Sequence, residues 1–460
     1  MKTTRILTLA VMAALLSSPY AWAAHKKTST PAKEAPKAQT ETVAETPVDT
    51  PLTVDQFTAA KMVAGEKAQL ADSYAAMKED ENALLVKDGA DVTLAHGAMT
   101  KAGNTTSTLG SKFYGQNAIV AAINSLLDMD SCTFTSEGEG ANAIFASGDK
   151  TVVKLHNSNI RTNGANARGL DAVEGAKITA DNINIGTKGL RSAAVATEPE
   201  GAAITVTKST INTSGEASPL LYSKGEINLS EAKGAAGASE IAVVEGPNVI
   251  RMEYVDVTGN GSHGIMLYQS KNKDTKKNSK DKNTANDVGR LSVKHSALRS
   301  LKNGPLFFIT NTEARIYSEL NSLQYLGDEL IRAAATTLGE TTGDGGALKF
   351  MANQQGLHGN VVADANSTIF LDLQNGSTWS GAINTGHIAK RADVNLDASS
   401  KWEVTGDCYV NAFTDGDPTL MNIKGNGHTI YYDAMDSANS WLGSKTFALQ
   451  GGGYLKPVRQ

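Results

Sequence analysis

The stretch that decides the fold repeats one phrase: Asn142-Ala143-Ile144-Phe145, Arg168-Gly169-Leu170, Ser192-Ala193-Ala194-Val195 and Ser218-Pro219-Leu220-Leu221. Each copy has a polar residue, a small residue and then one or two aliphatic residues. Seven of the nine steps between successive copies are 21 to 26 residues long, and the two longer steps span loops near 103–115 and 271–283. This regularity indicates an internal repeat of about 25 residues. The third residue of the phrase, taken as a marker, falls at positions 84, 119, 144, 170, 194, 220, 241, 265, 306 and 330.

A second phrase, Thr-x-Gly, keeps the same period. It occurs at Thr162-Asn163-Gly164, Thr187-Lys188-Gly189 and Thr213-Ser214-Gly215, five or six residues before a marker. Another apolar alternation follows each marker, for example at 152–155 and 204–206. Each repeat is therefore predicted to hold about three short strands, joined by turns in which glycine supplies a positive φ.

Short alternating strands bury only one face, and a unit of this length cannot close a core alone, so the repeats must stack. A propeller blade has a longer period, and the Leu/Asn ladder of leucine-rich repeats is absent. A β-sandwich would not hold its phase over so many units. The sequence predicts an all-β parallel β-helix, a solenoid of about 24–26-residue coils, over residues 82–460.

Strand-like alternation continues at 368–373, 394–396 and 402–404, with Trp379 and Trp402 among these segments. This pattern resembles the right-handed parallel β-helix superfamily, which includes pectate-lyase-like (pectin lyase fold) proteins and pertactin-like autotransporter passengers of adhesin type. The right-handed sense comes from that resemblance, which rests on repeat rhythm and not on catalytic motifs. No translocator barrel follows the repeats, so we expect no autotransport in cis.

The first 23 residues have the layout of a secretory signal peptide. Lys2 and Arg5 precede an apolar run over residues 6–16, and Ala21-Trp22-Ala23 offers a cleavage site. The run is too short for a membrane span, and we expect no transmembrane segment in the mature chain. The predicted location is therefore exported: periplasmic, cell-surface or extracellular.

Residues 24–51 are rich in Pro, Thr, Ala and Lys and are predicted to be a disordered linker. Residues 52–81 are predicted to form either an N-terminal cap or the first coil. Thr53 and Gln56 have the spacing of a capping box, and Phe57, Met62 and Leu70 would share one face of a short helix.

The charges do not indicate a general class of partner. The net charge of −5 over 460 residues gives no general attraction to nucleic acid, and we expect none as a partner. The Lys-rich run at 271–283 is expected to be a solvated loop, although it could contact anionic glycans. Cys132 and Cys408 would lie some eleven coils apart, so we expect two buried free thiols.

The superfamily contains many polysaccharide lyases and glycosidases, so acids and histidines are the candidate catalytic residues. His263, in Gly261-Ser262-His263-Gly264, occupies a turn position where other coils have Asn, Ser or Arg. Asp344, among glycines at 343–346, is more typical of a turn than of a Ca²⁺ site. Asp407, Asp415 and Asp417 are expected to be solvated loop acids. No catalytic, cofactor-binding or metal-binding residue is assigned, and no cofactor is expected.

Two functions remain open. The first is an exported, non-catalytic β-helix protein, adhesin-like or a surface scaffold, whose partner would be a cell-surface glycan or protein. The alternative is a divergent carbohydrate-active enzyme, a polysaccharide lyase or glycoside hydrolase. Its site would lie on one strand face, with loops such as 104–115 and 271–283 forming a wall. Three or more carboxylates converging with a base would favour the enzyme, and the sequence leans away from it.

Overall fold

The computed structural model describes residues 49–199, 201–270, 288–338 and 345–458. Within them the chain is an all-β parallel β-solenoid of about 15 turns, which confirms the predicted fold class. The described part contains one α-helix, α1 (Thr108–Tyr114), and two 3-10 helices, Val54–Gln56 and Ser437–Leu442. The predicted signal peptide, nearly all of the predicted linker and the Lys-rich run lie outside the described residues.

The strands are short, and most have three to five residues. In the first half of the described chain they are β1 (Thr58–Ala64), β2 (Lys67–Leu70), β3 (Tyr74–Ala76), β4 (Glu81–Lys87), β5 (Asp91–Ala95), β6 (Ala98–Lys101), β7 (Val120–Ile123), β8 (Leu126–Asp130), β9 (Thr133–Ser136), β10 (Ile144–Ser147), β11 (Val152–His156), β12 (Asn159–Thr162), β13 (Leu170–Val173), β14 (Lys177–Asp181), β15 (Asn184–Thr187), β16 (Val195–Thr197), β17 (Ala203–Thr207), β18 (Thr210–Thr213), β19 (Leu221–Ser223), β20 (Glu226–Ser230), β21 (Lys233–Ala236) and β22 (Ala242–Glu245).

The second half continues the same succession of strands. They are β23 (Val249–Glu253), β24 (Asp256–Gly259), β25 (Ile265–Tyr268), β26 (Gly289–Lys294), β27 (Ala297–Ser300), β28 (Phe307–Thr310), β29 (Glu313–Glu319), β30 (Ser322–Tyr325), β31 (Glu329–Ala333), β32 (Ala347–Asn353), β33 (Gly356–His358), β34 (Asn360–Ala363), β35 (Thr368–Gln374), β36 (Thr378–Gly381), β37 (Arg391–Leu396), β38 (Lys401–Val404), β39 (Cys408–Val410), β40 (Phe413–Asp415), β41 (Ile423–Lys424), β42 (Thr429–Tyr432), β43 (Phe447–Ala448) and β44 (Tyr454–Pro457).

Three long parallel sheets collect the strands by their position in the coil. Sheet A takes every third strand from β1 to β34 and has 12 strands. Sheet B takes every third strand from β2 to β35, then β37 and β40, for 14 strands, and sheet C takes every third strand from β3 to β30, for 10. Two four-stranded sheets, β33-β36-β38-β41 and β39-β42-β44-β43, complete the C-terminal coils. Among the described strands only β43 and β44 pair antiparallel.

The stacked aliphatic column differs in phase from the predicted one in six coils. Ile144 pairs with Val120 and with Leu170, but Leu170 then pairs with Val195, one residue after the predicted marker Ala194. The six displaced markers are nevertheless fully buried, because the residue before each stacked apolar residue also lies in the core. Because two consecutive residues are buried, the sequence pattern does not show which of the two is the stacked residue. The displaced markers are Ile119, Ala194, Leu220, Ile241, Leu306 and Leu330.

The N-terminal segment does not form the helix with the predicted apolar face. Helical structure is limited to Val54–Gln56, and Met62 and Leu70 lie on β1 and β2. The Gln56 side chain does accept a hydrogen bond from the Thr53 backbone, as the capping-box spacing predicts. Strand β1 pairs with β4, so residues 58–76 take part in the stacked sheets.

The Thr-x-Gly phrase has two physical causes, and positive φ is not one of them. The Thr162 hydroxyl donates to the Ala167 carbonyl at 2.6 Å and ties the end of a sheet C strand to the turn that follows. A Cβ on Gly189 would lie 1.8 Å from the carbonyl oxygen of Gly164 in the preceding coil. These glycines have no positive φ, so the expectation was wrong for them. They are needed because successive turns stack backbone on backbone.

Both cysteines are buried and free, as predicted. Burial raises the pKa of the Cys408 thiol to about 12, so this group stays protonated. A protonated, shielded thiol is a poor nucleophile, and it packs as a small apolar side chain.

Candidate functional site

A cavity lined by charged groups lies between α1 and the outer face of sheet A, and we call it the α1 cleft. It has a volume of about 480 Å³. The insertion near 103–115, which lengthens one step of the repeat, carries α1 and forms one wall. The cleft is lined by Thr108, Leu109, Ser111, Lys112, Asn142, Asn166, Arg168, Arg191, Ala193, Ala217, Pro219, Tyr222 and Tyr268.

A capping serine, a terminal glycine and two hydrogen bonds to the coil beneath hold α1 over sheet A. The Ser107 side chain caps the helix by accepting a hydrogen bond from the Gly110 amide at 2.7 Å, and Gly115 ends it with φ 79°. The Ser111 hydroxyl donates to the Gly140 carbonyl, and the Asn142 amide donates to the Ser111 carbonyl at 3.2 Å. The helix is thus bonded directly to the coil beneath it, which places Lys112 above sheet A.

Arg168 is the hub of a buried ion-pair network on the floor of the α1 cleft. Its Nη1 lies 2.9 and 3.0 Å from the two carboxylate oxygens of Asp171, and its Nη2 lies 2.6 Å from Glu198 Oε1. Asn142 supports this pair, because its amide donates to Asp171 at 3.2 Å and its oxygen accepts from the Arg168 backbone. The planar guanidinium therefore bridges two carboxylates of neighbouring coils.

A column of alternating charge continues the network along sheet A. Glu198 and Lys224 directly follow β16 and β19, whose last residues pair, and Glu245 ends β22. Lys224 Nζ lies 3.9 Å from Glu198 Oε2 and 3.2 Å from Glu245 Oε1. From the helix side, Lys112 Nζ reaches Glu198 Oε1 at 3.3 Å. We call Glu198, Lys224 and Glu245 the alternating column.

Hydroxyl groups saturate the last carboxylate of the alternating column. The phenols of Tyr222 and Tyr268 both donate to Glu245 Oε2, the latter at 2.7 Å, and Ser270 donates to Glu245 Oε1. Burial acts to raise the pKa of Glu245, but Lys224 and these hydroxyl donors outweigh it, so that pKa is lowered. Glu245 is therefore an ionised, fully engaged acceptor.

Burial also shifts the pKa values of other groups in the cleft. It raises the pKa of the Asp171 carboxyl to about 7, against the opposing effect of Arg168. Burial lowers the pKa of Lys112, although Glu198 counteracts it. It raises the pKa of the Tyr222 phenol, which stays protonated and remains a donor.

The exposure of the side chains in the cleft limits the kind of ligand that it could bind. The side chains of Asp171 and Glu198 have no exposed surface, whereas that of Lys112 is 31% exposed. The half-buried tyrosines Tyr222 and Tyr268 also face the cavity. A ligand in the cleft would therefore meet hydrogen-bond donors and cations, with the carboxylates held beneath them.

None of the sequence candidates that the structure describes lines the α1 cleft. His263 lies 3.3 Å from Glu240 and stacks on Phe308 at 4.2 Å between ring centroids, which fits a packed turn residue. Asp344 and the Lys-rich run at 271–283 lie outside the described residues.

The late aspartates also take part in local structure. Asp415 accepts from the Asp417 backbone at 2.9 Å, and burial raises its pKa. Asp417 accepts from Thr419, which lowers its pKa. Asp407 accepts from the Thr429 backbone at 2.8 Å. The contacts of Asp415 and Asp417 are typical of a turn, and that of Asp407 joins two neighbouring coils.

No protein-family model matches this chain, and no curated protein matches it either. Among the described residues no group of three His, Cys, Asp or Glu side chains is arranged to hold a metal ion. In the same part of the chain no helix has the length and apolarity that crossing a membrane requires. The class that the chain itself defines is the parallel β-solenoid, with a cleft built on one of its sheets.

Proposed function

We propose that this chain is an exported, non-catalytic β-solenoid, adhesin-like or a surface scaffold, which binds an acidic sugar in the α1 cleft. The observation that carries the proposal is that anionic and cationic groups lie at different depths of the cleft. Carboxylates lie beneath and are engaged by Arg168, Lys112 and the tyrosines, while donors and cations face the cavity. Export is supported by the N-terminal sequence pattern alone.

An acidic sugar matches these walls in both charge and polarity. Its carboxylate would approach Arg191, which is exposed at the rim and has no ion pair among the described residues. Its hydroxyls would exchange hydrogen bonds with Asn166 and the tyrosines, and its apolar ring face would contact Ala193, Ala217 and Pro219.

The alternative, a carbohydrate-active enzyme, is favoured by one observation. Three carboxylates, Asp171, Glu198 and Glu245, converge with cations and phenols on one strand face, and burial raises the pKa of Asp171 to about 7. A raised carboxyl pKa is typical of general acids. Against this role, a general acid must reach the glycosidic oxygen, and Asp171 is shielded and bonded to Arg168 on both oxygens.

One experiment separates the two functions. The purified protein is incubated with acidic and neutral oligosaccharides, and both binding and release of shorter products are followed. We expect binding of acidic sugars without cleavage. Arg191→Gln should weaken binding at least about tenfold, because a hydrogen bond to a charged group contributes about 1.5–3 kcal/mol. Lys188→Gln, which removes an exposed cation that does not line the cleft, is the matched control. Released products that disappear in Asp171→Asn would establish the enzyme instead.

A further inference from the structure

A second charged column lies on the outer face of sheet B, far along the coils, and the proposed function does not use it. Arg290 pairs with Arg315 across β26 and β29, and Arg315 pairs with Lys349 across β29 and β32. Three successive coils therefore present a cation at the same position. We call Arg290, Arg315 and Lys349 the cation column.

This repetition is costly for the protein alone. Adjacent strands lie about 4.8 Å apart, and like charges directly opposite each other are destabilising. Within the described chain none of the three side chains has an ion pair. Four residues further along the same strands, Lys294 and Glu319 form the usual opposite-charge pair, with 3.6 Å between Nζ and Oε2.

Carboxylates flank the cation column but are already engaged. Glu226, which pairs with Val249 in sheet B, binds Arg251 at 2.6 Å. At the other end Asp393, which pairs with Phe370, binds Arg391 at 2.6 Å. Neither of these two carboxylates therefore neutralises the cation column.

The column borders a groove of about 450 Å³ that combines charge with apolar and aromatic surface. Tyr317 and Met351 stand side by side in the neighbouring column, and Phe370 follows Lys349 in the column itself. Sugar rings carry apolar C–H faces that pack on such side chains, while acidic substituents pair with guanidinium and ammonium groups. The groove is lined by Val249, Arg251, Arg290, Leu291, Ser292, Arg315, Ile316, Tyr317, Lys349, Phe350, Met351, Phe370 and Asp372.

We infer that the cation column is a binding site for an extended anionic polysaccharide, whose acidic groups on successive sugars meet cations on successive coils. The site is independent of the α1 cleft, because it lies on a different sheet and uses different residues. Duplex nucleic acid fits less well, since its phosphates repeat every 3.4 Å or so per strand and the coils repeat every 4.8 Å or so.

The test compares two variants of the whole protein with the same change in net charge. Arg290→Gln/Arg315→Gln/Lys349→Gln removes the cation column. Lys154→Gln/Lys177→Gln/Lys233→Gln removes three exposed lysines elsewhere on sheets B and C. Binding to polygalacturonate, dextran sulfate and neutral dextran is measured at 50 and 200 mM NaCl. The first polymer carries carboxylates and the second carries sulfates, so the two arms also identify the acidic group.

We expect the wild-type protein to bind at least one acidic polymer and not neutral dextran, with weaker binding at higher salt. The cation-column variant should bind at least tenfold more weakly, while the lysine control should change less than threefold. Because the altered side chains project outward, a melting temperature at or above that of the wild type will show that the column variant is folded. Absence of binding to both acidic polymers, or equal losses in the two variants, would overturn the inference. Equal losses in the two variants would leave acidic-sugar binding in the α1 cleft to the separate Arg191→Gln test, whereas absence of binding to both acidic polymers would count against that site as well.

Discussion

Two columns of charged side chains run along this solenoid, and they differ in the order of their signs. On sheet A the alternating column places Lys224 between Glu198 and Glu245. Glu198 is buried under α1 and Arg168, and Glu245 is covered by hydroxyl donors. On sheet B the cation column repeats a positive charge in three successive coils, and its members reach the solvent.

The difference follows from how a parallel sheet stacks equivalent positions. A charge in one coil has the charge of the next coil as its nearest neighbour, about 4.8 Å away. When the signs alternate, each charge has an opposite charge beside it within the protein and can be buried. The floor of the α1 cleft is therefore held in place. Repetition of one sign leaves the positive charge without a partner in the protein. Water and salt screen this charge when no ligand is bound.

Loss of the hub of the buried network should have the largest effect. Arg168→Met leaves Asp171 and Glu198 buried without their main cation, and breaking a buried pair costs about 3–5 kcal/mol. We expect a clear fall in melting temperature and faster amide exchange in β13 and β16. Arg191→Met, which removes an exposed cation from the same cleft, should change the free energy of unfolding by less than about 0.5 kcal/mol. Equal, small effects of the two substitutions would show that the network contributes no stability.

The pH dependence of Asp171→Asn tests the burial of the same network. A carboxyl whose folded pKa is raised to about 7 contributes stability fully below its ordinary pKa of 3.8, and this contribution is lost as the pH rises through 7. The amide cannot ionise, so the variant should gain relative to the wild type between pH 5 and pH 8, by a few kcal/mol at most. The contribution of Glu245 is shared by both proteins and largely cancels in the difference. A difference in melting temperature that does not change with pH would mean that Arg168 keeps the carboxyl ionised throughout.

The fold was predictable because stacking repeats a buried position in every coil. The aliphatic marker and the Thr-x-Gly phrase gave the period and about three strands per coil. The exact phase was not predictable, because Ala194 and Val195 are both buried and either could have been the stacked residue. The role of Gly189 depends on the carbonyl of another coil, which a local reading of turns does not include.

The loop at 104–115 was predicted as a wall of a possible enzyme site, but the charged residues of the α1 cleft were not predicted, although a signal for its column was present. Glu198, Lys224 and Glu245 each lie three residues after the stacked aliphatic residue of their coil, so they share one position of the repeat. Acids that are close together in the sequence, such as Asp415 and Asp417, instead take part in local turn contacts.

The cation column was not recognised in the sequence because the spacing between its members is irregular. Arg290 and Arg315 are one period apart, but the step from Arg315 to Lys349 is lengthened to 34 residues by the segment between β31 and β32. Each of the three cations directly precedes an inward-facing apolar residue of sheet B, and this shared position is visible only when the coils are aligned.

The most direct test converts the cation column into an alternating one. Arg315→Glu places a carboxylate between Arg290 and Lys349, in the order of signs that sheet A already has. We predict a more stable protein without ligand, by about 0.5–1 kcal/mol at low salt, because two like-charge neighbours become opposite-charge pairs. We also predict that the acidic polymer that raises the melting temperature of the wild-type protein will no longer raise that of the variant. A less stable variant, or one that the polymer still stabilises to the wild-type extent, would contradict the account.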